Sequence, residues 1–376
     1  MNMNFEEMRL SCKEFTDDVS GKLMNKMPAA LKKAEGLPFI PYTVRGNEWA
    51  PGPFDGICWW TNGFWPGQMW AMYSMTGDDR YREEAERAET RLDEAFCDFD
   101  HLHHDVGFMW LLSSGVNFRL TQNDRSRKRV LLAANLLAGR FNPNGFIRAW
   151  NEDRTGWAII DCMMNLNLLY RAGEWTGDPR FRMIAMRHAD TAMEHFVRAD
   201  GSCNHIVIFD PETGAVLDTP AGQGFAPGSA WSRGQAWALY GFALSYIHTG
   251  KKEYLTVSQR VAEYYLSQVA NDWIPRCDFR QPEGDDLRDA CAGAIAACGL
   301  LELARLTETK RYFDAALATL GALEAHCAKW DPASPAILTR CTGSYHGNDH
   351  NIVMIYADFF FTEAILKLRG DPFLFW

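Results

Sequence analysis

With 376 residues, 47% hydrophobic and 13% aromatic, the chain can bury a large core; 38 basic against 48 acidic residues give a net charge of -10. A negative chain with no Lys/Arg run does not suit nucleic acid or an anionic membrane as partner. Ten cysteines without a CxxC pair, several in apolar helix-like runs, read as reduced core residues rather than a disulfide framework.

The opening MNMNFEEMRLSCKEF is acidic and lacks an apolar core with a small-residue cleavage site. No uninterrupted apolar run of bilayer-crossing length follows it, so a soluble, cytoplasmic protein is expected. A repeat then organises the chain. YSMTGDDRYREEA, GEWTGDPRFRMIA and YIHTGKKEYLTVS share an apolar run, Thr-Gly, a polar turn, an aromatic and an amphipathic run; FRLTQNDRSRKRV and ARLTETKRYFDAA are looser copies and LKLRGDPFLFW a truncated one. The turns begin at Thr76, Thr121, Thr176, Thr249, Thr307 and Arg369, at spacings between 45 and 73 residues, each enough for a helical hairpin and a connection.

The turn residues fit that reading. Gly77, Gly177 and Gly250 suit the left-handed residue that ends a helix, and Asp178-Pro179 and Asp371-Pro372 supply an N-cap followed by proline at the first helical position. After the first turn, Tyr81, Ala85, Ala88, Leu92 and Phe96 recur at three- and four-residue steps, which predicts an outer helix with one apolar face. Before the turns, DCMMNLNLLYRAGEW and GQAWALYGFALSYI are apolar almost all round and predict inner helices. The expected fold is all-α, one domain over 1–376: an (α/α)6 barrel of six helical hairpins with a small β-hairpin excursion. An open superhelical stack is the alternative.

Parallel inner helices would gather their N-terminal ends at one pole: WWTNGFW (59–65), HHDVGF (103–108), IIDCMMN (159–165), AWSRGQAW (230–237), LRDACAG (287–293) and IYADFFF (355–361). Capping accounts for Asp289 and Asp358. Trp60, Trp65, Trp231 and Trp237, with Trp150 from FIRAWN, would line a concavity with flat apolar faces suited to a pyranose ring. Asp105 and Asp161, on successive inner helices, become a carboxylate pair that cannot easily ionise together, the arrangement used in glycoside cleavage. Asp161, between Ile160 and Cys162, has the drier setting and would hold the proton; taken alone each aspartate reads as an N-cap, and taken with the tryptophans it does not.

His101, His103 and His104 lack the HExxH spacing of a zinc site, and His346 and His350 in SYHGNDHN are no stronger, so no metal is expected. His104 would orient Asp105, with His101 and His103 facing solvent. The longest spacing holds CNHIVIFDPETGAVLD, a β-hairpin with a DPETG turn, and the loop TPAGQGFAPGS. Placed over the pole, it would carry His205 and Gln223 to the ligand, while Arg233 offers a fork for a substrate carboxylate.

Together WTNGFW, HHDVGF, IIDCMMNLNLL, the histidine-bearing strand before FDPETG, GQG and GSAWSRGQAW resemble the unsaturated glucuronyl hydrolases of glycoside hydrolase family 88, over roughly residues 55–368. The resemblance implies the same barrel, Asp161 as catalytic acid/base and Asp105 as its assisting carboxylate. It also implies a substrate pocket of Trp60, Phe64, His104, Trp150, His205, Gln223, Arg233 and Trp237, with Tyr345 a weaker match. The implied substrate is an oligosaccharide ending in a 4,5-unsaturated uronic acid, cleaved without a cofactor by hydrating the enol ether. In relatives, the loop equivalent to TGSYHGNDHN (342–351) helps to discriminate sulfated substrates; here it has no lysine or arginine, which implies an unsulfated or lightly sulfated glycosaminoglycan fragment. A rhamnogalacturonyl hydrolase, a sugar epimerase and a non-enzymatic sugar-binding toroid are the alternative readings.

Overall fold

The computed structural model describes residues 3–52, 56–269, 271–371 and 375–376. Helices α1 (Phe5–Ser11) and α2 (Lys13–Ala34) precede an antiparallel hairpin of β1 (Thr43–Arg45) and β2 (Glu48–Ala50). Helical pairs follow: α3 (Phe64–Thr76) with α4 (Asp79–Arg91), then α5 (Val106–Trp110) and α6 (Val116–Thr121) with α7 (Asp124–Gly139). A π-helical turn, Leu111–Gly115, joins α5 to α6. Next come α8 (Cys162–Thr176) with α9 (Pro179–His195), α10 (Ser232–Thr249) with α11 (Lys252–Val269), α12 (Ala290–Thr307) with α13 (Lys310–His326), and finally α14 (Ile355–Arg369).

The helix before each turn is buried almost all round and the one after it along one face. On α4, Tyr81, Ala85 and Ala88 are buried, and the same face continues to buried Leu92, while Phe96 stacks on Trp110 with ring centroids 4.3 Å apart. The inner helices α3, α5–α6, α8, α10, α12 and α14 pack in that order, and α14 returns to α3, closing the ring. This is the expected (α/α)6 barrel and not the open stack. The sixth hairpin is completed differently from the others: α14 takes its outer neighbour from the N-terminal helix α2. The Asp371-Pro372 cap expected there involves Pro372, which lies outside the described residues.

The repeated threonine has a structural cause. Thr76, Thr121, Thr176, Thr249 and Thr307 each donate their hydroxyl to the carbonyl four residues back, at 2.6–2.8 Å, bonding the side chain into the last turn of its own helix. The residue after each threonine is left-handed: Gly77, Gly177 and Gly250, but also Gln122 (φ 61°) and Glu308 (φ 51°), which is why two copies look degenerate.

The ring is drawn tight by small residues. A Cβ on Gly107 would lie 2.6 Å from Asn165 Oδ1, and one on Gly63 would lie 1.9 Å from the carbonyl oxygen of Phe108, so α5 approaches both neighbours only because these positions are glycine. One inner helix departs from the sequence expectation: Ala290–Thr307, with mean hydropathy 1.4, is long and apolar enough to cross a membrane, but 83% of it is buried inside the protein. All ten cysteines are free thiols; nine are buried, and Cys97 is exposed.

Two small sheets decorate the pole where the inner helices begin: β3 (Phe141–Asn142) pairs β4 (Phe146–Ile147), and β5 (Trp157–Ile159), β6 (Ile206–Phe209) and β7 (Val216–Asp218) form an antiparallel sheet in that order. The DPETG turn forms as expected: Asp210 accepts hydrogen bonds from the backbone N–H groups of Glu212 and Thr213, and Gly214 is left-handed. The hairpin is extended by a third strand, β5, that the sequence reading lacks.

Candidate active site

Strand β5 runs directly into Asp161, and β6 begins directly after His205. Their antiparallel register pairs Ile159 with Ile206, and the Ile160 N–H donates to the His205 carbonyl at 3.0 Å, so sheet geometry sets Asp161 beside His205. Asp105 reaches the same place from the next inner helix, immediately before Val106. A cleft of about 340 Å³ opens here, with Asp105 and Asp161 in its wall beside Cys58, Trp59, Trp60, His103, Met109, Trp150, Ile159 and Gln223.

Neither aspartate caps its helix: no side-chain capping hydrogen bond forms at Asp105 or Asp161. Asp289 does cap, accepting from the Cys291 N–H at 3.3 Å. Asp358 is not an N-cap, contrary to expectation; from the first turn of α14 it accepts the N–H groups of Ile337 and Leu338 at 2.9 and 2.7 Å, pinning a neighbouring loop. The pair at the cleft is thus unlike Asp289 and Asp358, which cap a helix and pin a loop.

Burial raises both carboxyls. Asp105 is pushed to about 8, by desolvation first and the nearby Asp161 second, against the lowering effect of Arg140 and Asn165. Asp161 is pushed to about 7 by desolvation, restrained by Arg233 and by the Trp237 indole. The side chains are almost equally enclosed, 14% and 12% exposed, so Asp161 does not have the distinctly drier setting expected, and the larger push falls on Asp105.

The imidazoles are held neutral by burial. His205 is driven down to about 3, chiefly by desolvation. Its Nδ1 accepts the Gln223 N–H at 3.0 Å, so the ring proton sits on Nε2, which faces Asp161 Oδ1 at 3.6 Å. His104, fully buried and also driven well down by desolvation, has Nε2 3.4 Å from Asp105 Oδ2. His101 is exposed, but His103 lines the cleft rather than facing bulk solvent. His346 and His350 turn their Nε2 atoms to loop carbonyls, and among the described residues no three His, Cys, Asp or Glu side chains gather as a metal-holding group.

The tryptophans divide. Trp60 and Trp150 line the cleft, joined by Trp59, which was not singled out from the sequence. Phe64 lies beneath Trp60, their centroids 5.9 Å apart, fully buried. Trp237 is fully buried between Phe108 and Phe360 and approaches Asp161 from below. Trp65 is not at the cleft: it points outward between helices and donates its indole N–H to Glu84 at 2.7 Å. Trp231 is also buried off the cleft, packed on His205 at 4.3 Å.

Arg233 is not a free fork. Nη1 pairs with Asp289 at 2.7 Å and donates to the Thr342 carbonyl at 2.9 Å, while Nη2 donates to the Gly343 carbonyl at 2.7 Å. Burial works against its charge, but the facing Asp289 more than restores it, raising the guanidinium above its usual range. Arg233 therefore acts on Asp161 through space and holds the 342–343 loop. Gln223 ties the same loop by donating to the Gly343 carbonyl at 2.6 Å, and Tyr345, whose hydroxyl donates to Asp285, stands above it.

Two supporting residues were missed in the sequence. Asn165 Oδ1 accepts the Phe108 N–H at 2.8 Å, which leaves Nδ2 aimed at Asp105 Oδ1 (3.5 Å) and the Asp161 carbonyl (3.4 Å). Asn165 lies one helical turn after Asp161, a spacing that could have drawn attention to it. Arg140 donates to the carbonyls of Leu102, Arg148, Ala149 and Trp150, fixing the Trp150 loop behind Asp105; nothing in its local sequence marks it.

Residues 40–273 match the model of Glycosyl Hydrolase Family 88. The chain is 39% identical over 332 residues to the unsaturated glucuronyl hydrolase of Bacillus sp. (strain GL1), covering 84% of this chain and 88% of that one. It is 33% identical over 330 residues to the unsaturated chondroitin disaccharide hydrolase of Streptococcus pyogenes, covering 84% and 83%. The solved structure of an unsaturated glucuronyl hydrolase responsible for glycosaminoglycan degradation, from Bacillus sp. GL1, superposes with a TM-score of 0.86 at 36% identity, over 93% of this chain and 96% of that one.

Proposed function

The chain belongs to glycosyl hydrolase family 88 and is a glycoside hydrolase, and from that premise we propose how its own residues carry the reaction. The substrate is an oligosaccharide with a 4,5-unsaturated uronic acid at its non-reducing end, as a polysaccharide lyase leaves on a glycosaminoglycan. Asp161 protonates C4 of the enol ether, oxocarbenium character develops at C5, and the Asp161 carboxylate takes a proton from the water that adds to C5. The hemiketal so formed opens and releases the neighbouring sugar without attack at C1.

The observation that carries this reading is the aspartate pair that caps nothing and faces a cleft. A carboxyl with a pKa of about 7 can both give and take a proton near neutral pH, which a general acid/base must do. Asp105, at about 8, stays protonated there and serves as the neutral assisting carboxyl. Trp60 and Trp150 supply apolar faces for the sugar, and His205 presents a fixed N–H to Asp161. The loop 342–351 contains neither lysine nor arginine, which favours an unsulfated or lightly sulfated fragment.

Loss of ultraviolet absorbance from unsaturated chondroitin, hyaluronan and heparin disaccharides tests the proposal, with Asp161→Asn in parallel. Wild-type turnover in deuterated water should place deuterium at C4. Absorbance loss confined to unsaturated pectin disaccharides would favour the rhamnogalacturonyl reading. Turnover surviving in Asp161→Asn would point to an epimerase-like chemistry, and binding without turnover to a sugar-binding toroid.

A further inference from the structure

An acidic sugar that enters a cleft walled by two aspartates, on a chain of net charge -10, needs a cation to meet it. The two buried candidates are committed elsewhere: Arg233 spends its Nη1 and one Nη2 donor on Asp289 and two carbonyls, and Arg140 holds the carbonyls behind Trp150. Arg148, on the same loop, donates to the Glu152 carbonyl. Arg154 is different. Its guanidinium carbon lies 5.4 Å from the ring centroid of Trp150, the cleft-lining indole, and 5.2 Å from that of Trp157, and the residue is exposed. Glu152 and Asp153 precede it, yet among the described residues no carboxylate comes within ion-pair distance of Arg154.

A guanidinium held against indole rings by cation–π attraction spends none of its N–H groups on that contact, which leaves them for a carboxylate or sulfate. The support beneath it is rigid: Trp150 and its neighbours are fixed through their carbonyls by Arg140, and the Arg154 N–H and carbonyl close two successive turns, with Asn151 and Trp157. We propose that Arg154 is a specificity-determining residue at the mouth of the cleft, which binds an anionic group of the incoming oligosaccharide. This rests on the proposed function and names the charge that selects its substrate. The group is either the carboxylate of the unsaturated uronate or a sulfate on the sugar behind it.

The test compares wild type with Arg154→Met, which keeps apolar cover over Trp150 but removes the charge, and Arg154→Lys, which keeps the charge but not the planar stack. Initial rates on unsaturated disaccharides with and without a sulfate are followed across a range of NaCl concentrations. In Arg154→Met, KM should rise about tenfold, the size of one charge-assisted hydrogen bond, and the decline of kcat/KM with salt should flatten. Arg154→Lys should keep the salt dependence and recover part of the KM. A rise with both disaccharides assigns the contact to the uronate carboxylate; a rise with the sulfated one alone assigns it to the sulfate. Unchanged KM and salt dependence in Arg154→Met would overturn the inference, as would a rise of KM in Arg154→Lys equal to that in Arg154→Met with the wild-type salt dependence in both, the mark of a purely structural role. Calorimetric binding of the same disaccharides to Asp161→Asn, with and without Arg154→Met, reads the contact independently of turnover, so an inactive wild type would sink the proposed reaction without deciding this point.

Discussion

His205 turns Nε2 toward Oδ1 of Asp161 at 3.6 Å, and the proton on that nitrogen is fixed from the far side of the ring, where Nδ1 accepts the Gln223 N–H. With its pKa near 3, His205 is a neutral donor throughout the working range. His205→Ala should lower kcat roughly 10- to 100-fold with a smaller change in KM, since a fixed donor to a group that changes charge acts mainly on the reacting state. It should also move the alkaline limb of the rate profile to higher pH, because a donor to a carboxylate favours the ionised form and its loss favours the acid. Steady-state kinetics across pH check both.

In the proposed reaction, C4 protonation requires Asp161 as the acid. The value of kcat/KM should therefore fall as pH rises through about 7, well above where an ordinary carboxylate would impose a limb. Asp161→Asn should abolish this limb along with at least 100-fold of the activity. A profile flat from pH 6 to 9 would remove Asp161 from the acid role.

The same raised values make a stability statement with the opposite sign to capping. In the unfolded chain both aspartates lose their protons near pH 4; in the fold they hold them to about 8 and 7. Between these limits the folded state binds more protons, so this contribution to stability falls as pH rises from about 4 and levels off above 8. Asp105→Asn removes its share of that penalty. Its Tm should exceed that of wild type at pH 8, by roughly 1–2 °C for each kcal/mol recovered, with a smaller or absent difference at pH 4. A cap residue would behave otherwise, losing about 0.5–2 kcal/mol on replacement.

Trp65 and Trp60 separate packing from binding. Trp65→Phe deletes a buried N–H bond to Glu84 on α4, which keeps Arg87 as its remaining partner. The expected result is about 1–3 kcal/mol lost in denaturant unfolding with KM unchanged within twofold. Trp60→Ala, at the cleft, should raise KM substantially. A KM effect from Trp65→Phe would place that ring functionally closer to the cleft than its contacts do.

The contrast between these two tryptophans marks how far the sequence could be read. Helix periodicity tells that a residue is buried but not whether it faces the barrel axis or the outer ring, so Trp65 and Trp231 were grouped with Trp60. The hairpins were legible because each carries its own turn chemistry: a threonine bonding back and a left-handed residue next to it. The partner of α14 was not, since α2 and α14 are joined only by ring closure and share no local pattern. Arg233 reads from the sequence as a fork for a substrate carboxylate, whereas its pairing with Asp289 depends on two helices meeting. Arg140 acts by holding backbone groups from distant segments, and β5 pairs with a strand almost fifty residues later, so neither leaves a motif; Asn165 has only its one-turn spacing from Asp161 to mark it.

Gly107 joins ring packing to the aspartate pair at the cleft. A methyl group there would sit 2.6 Å from Asn165 Oδ1 and 2.7 Å from its Cα, distances that neither the side chain nor the α8 backbone can accept without shifting. Asn165 would lose its grip on the Phe108 N–H and, with it, the orientation that aims Nδ2 at Asp105. Gly107→Ala should therefore lower Tm and also reduce kcat more than KM, because the displaced group positions a carboxyl rather than the sugar. Gly139, the last residue of α7, is the control: a methyl group there meets nothing within 4 Å, and Gly139→Ala should leave kinetics unchanged and stability equal or higher by about 0.4–1 kcal/mol. Thermal unfolding and steady-state kinetics on the two variants separate the effects. If Gly107→Ala lost stability but kept its kcat, Asn165 would hold helices together without governing Asp105.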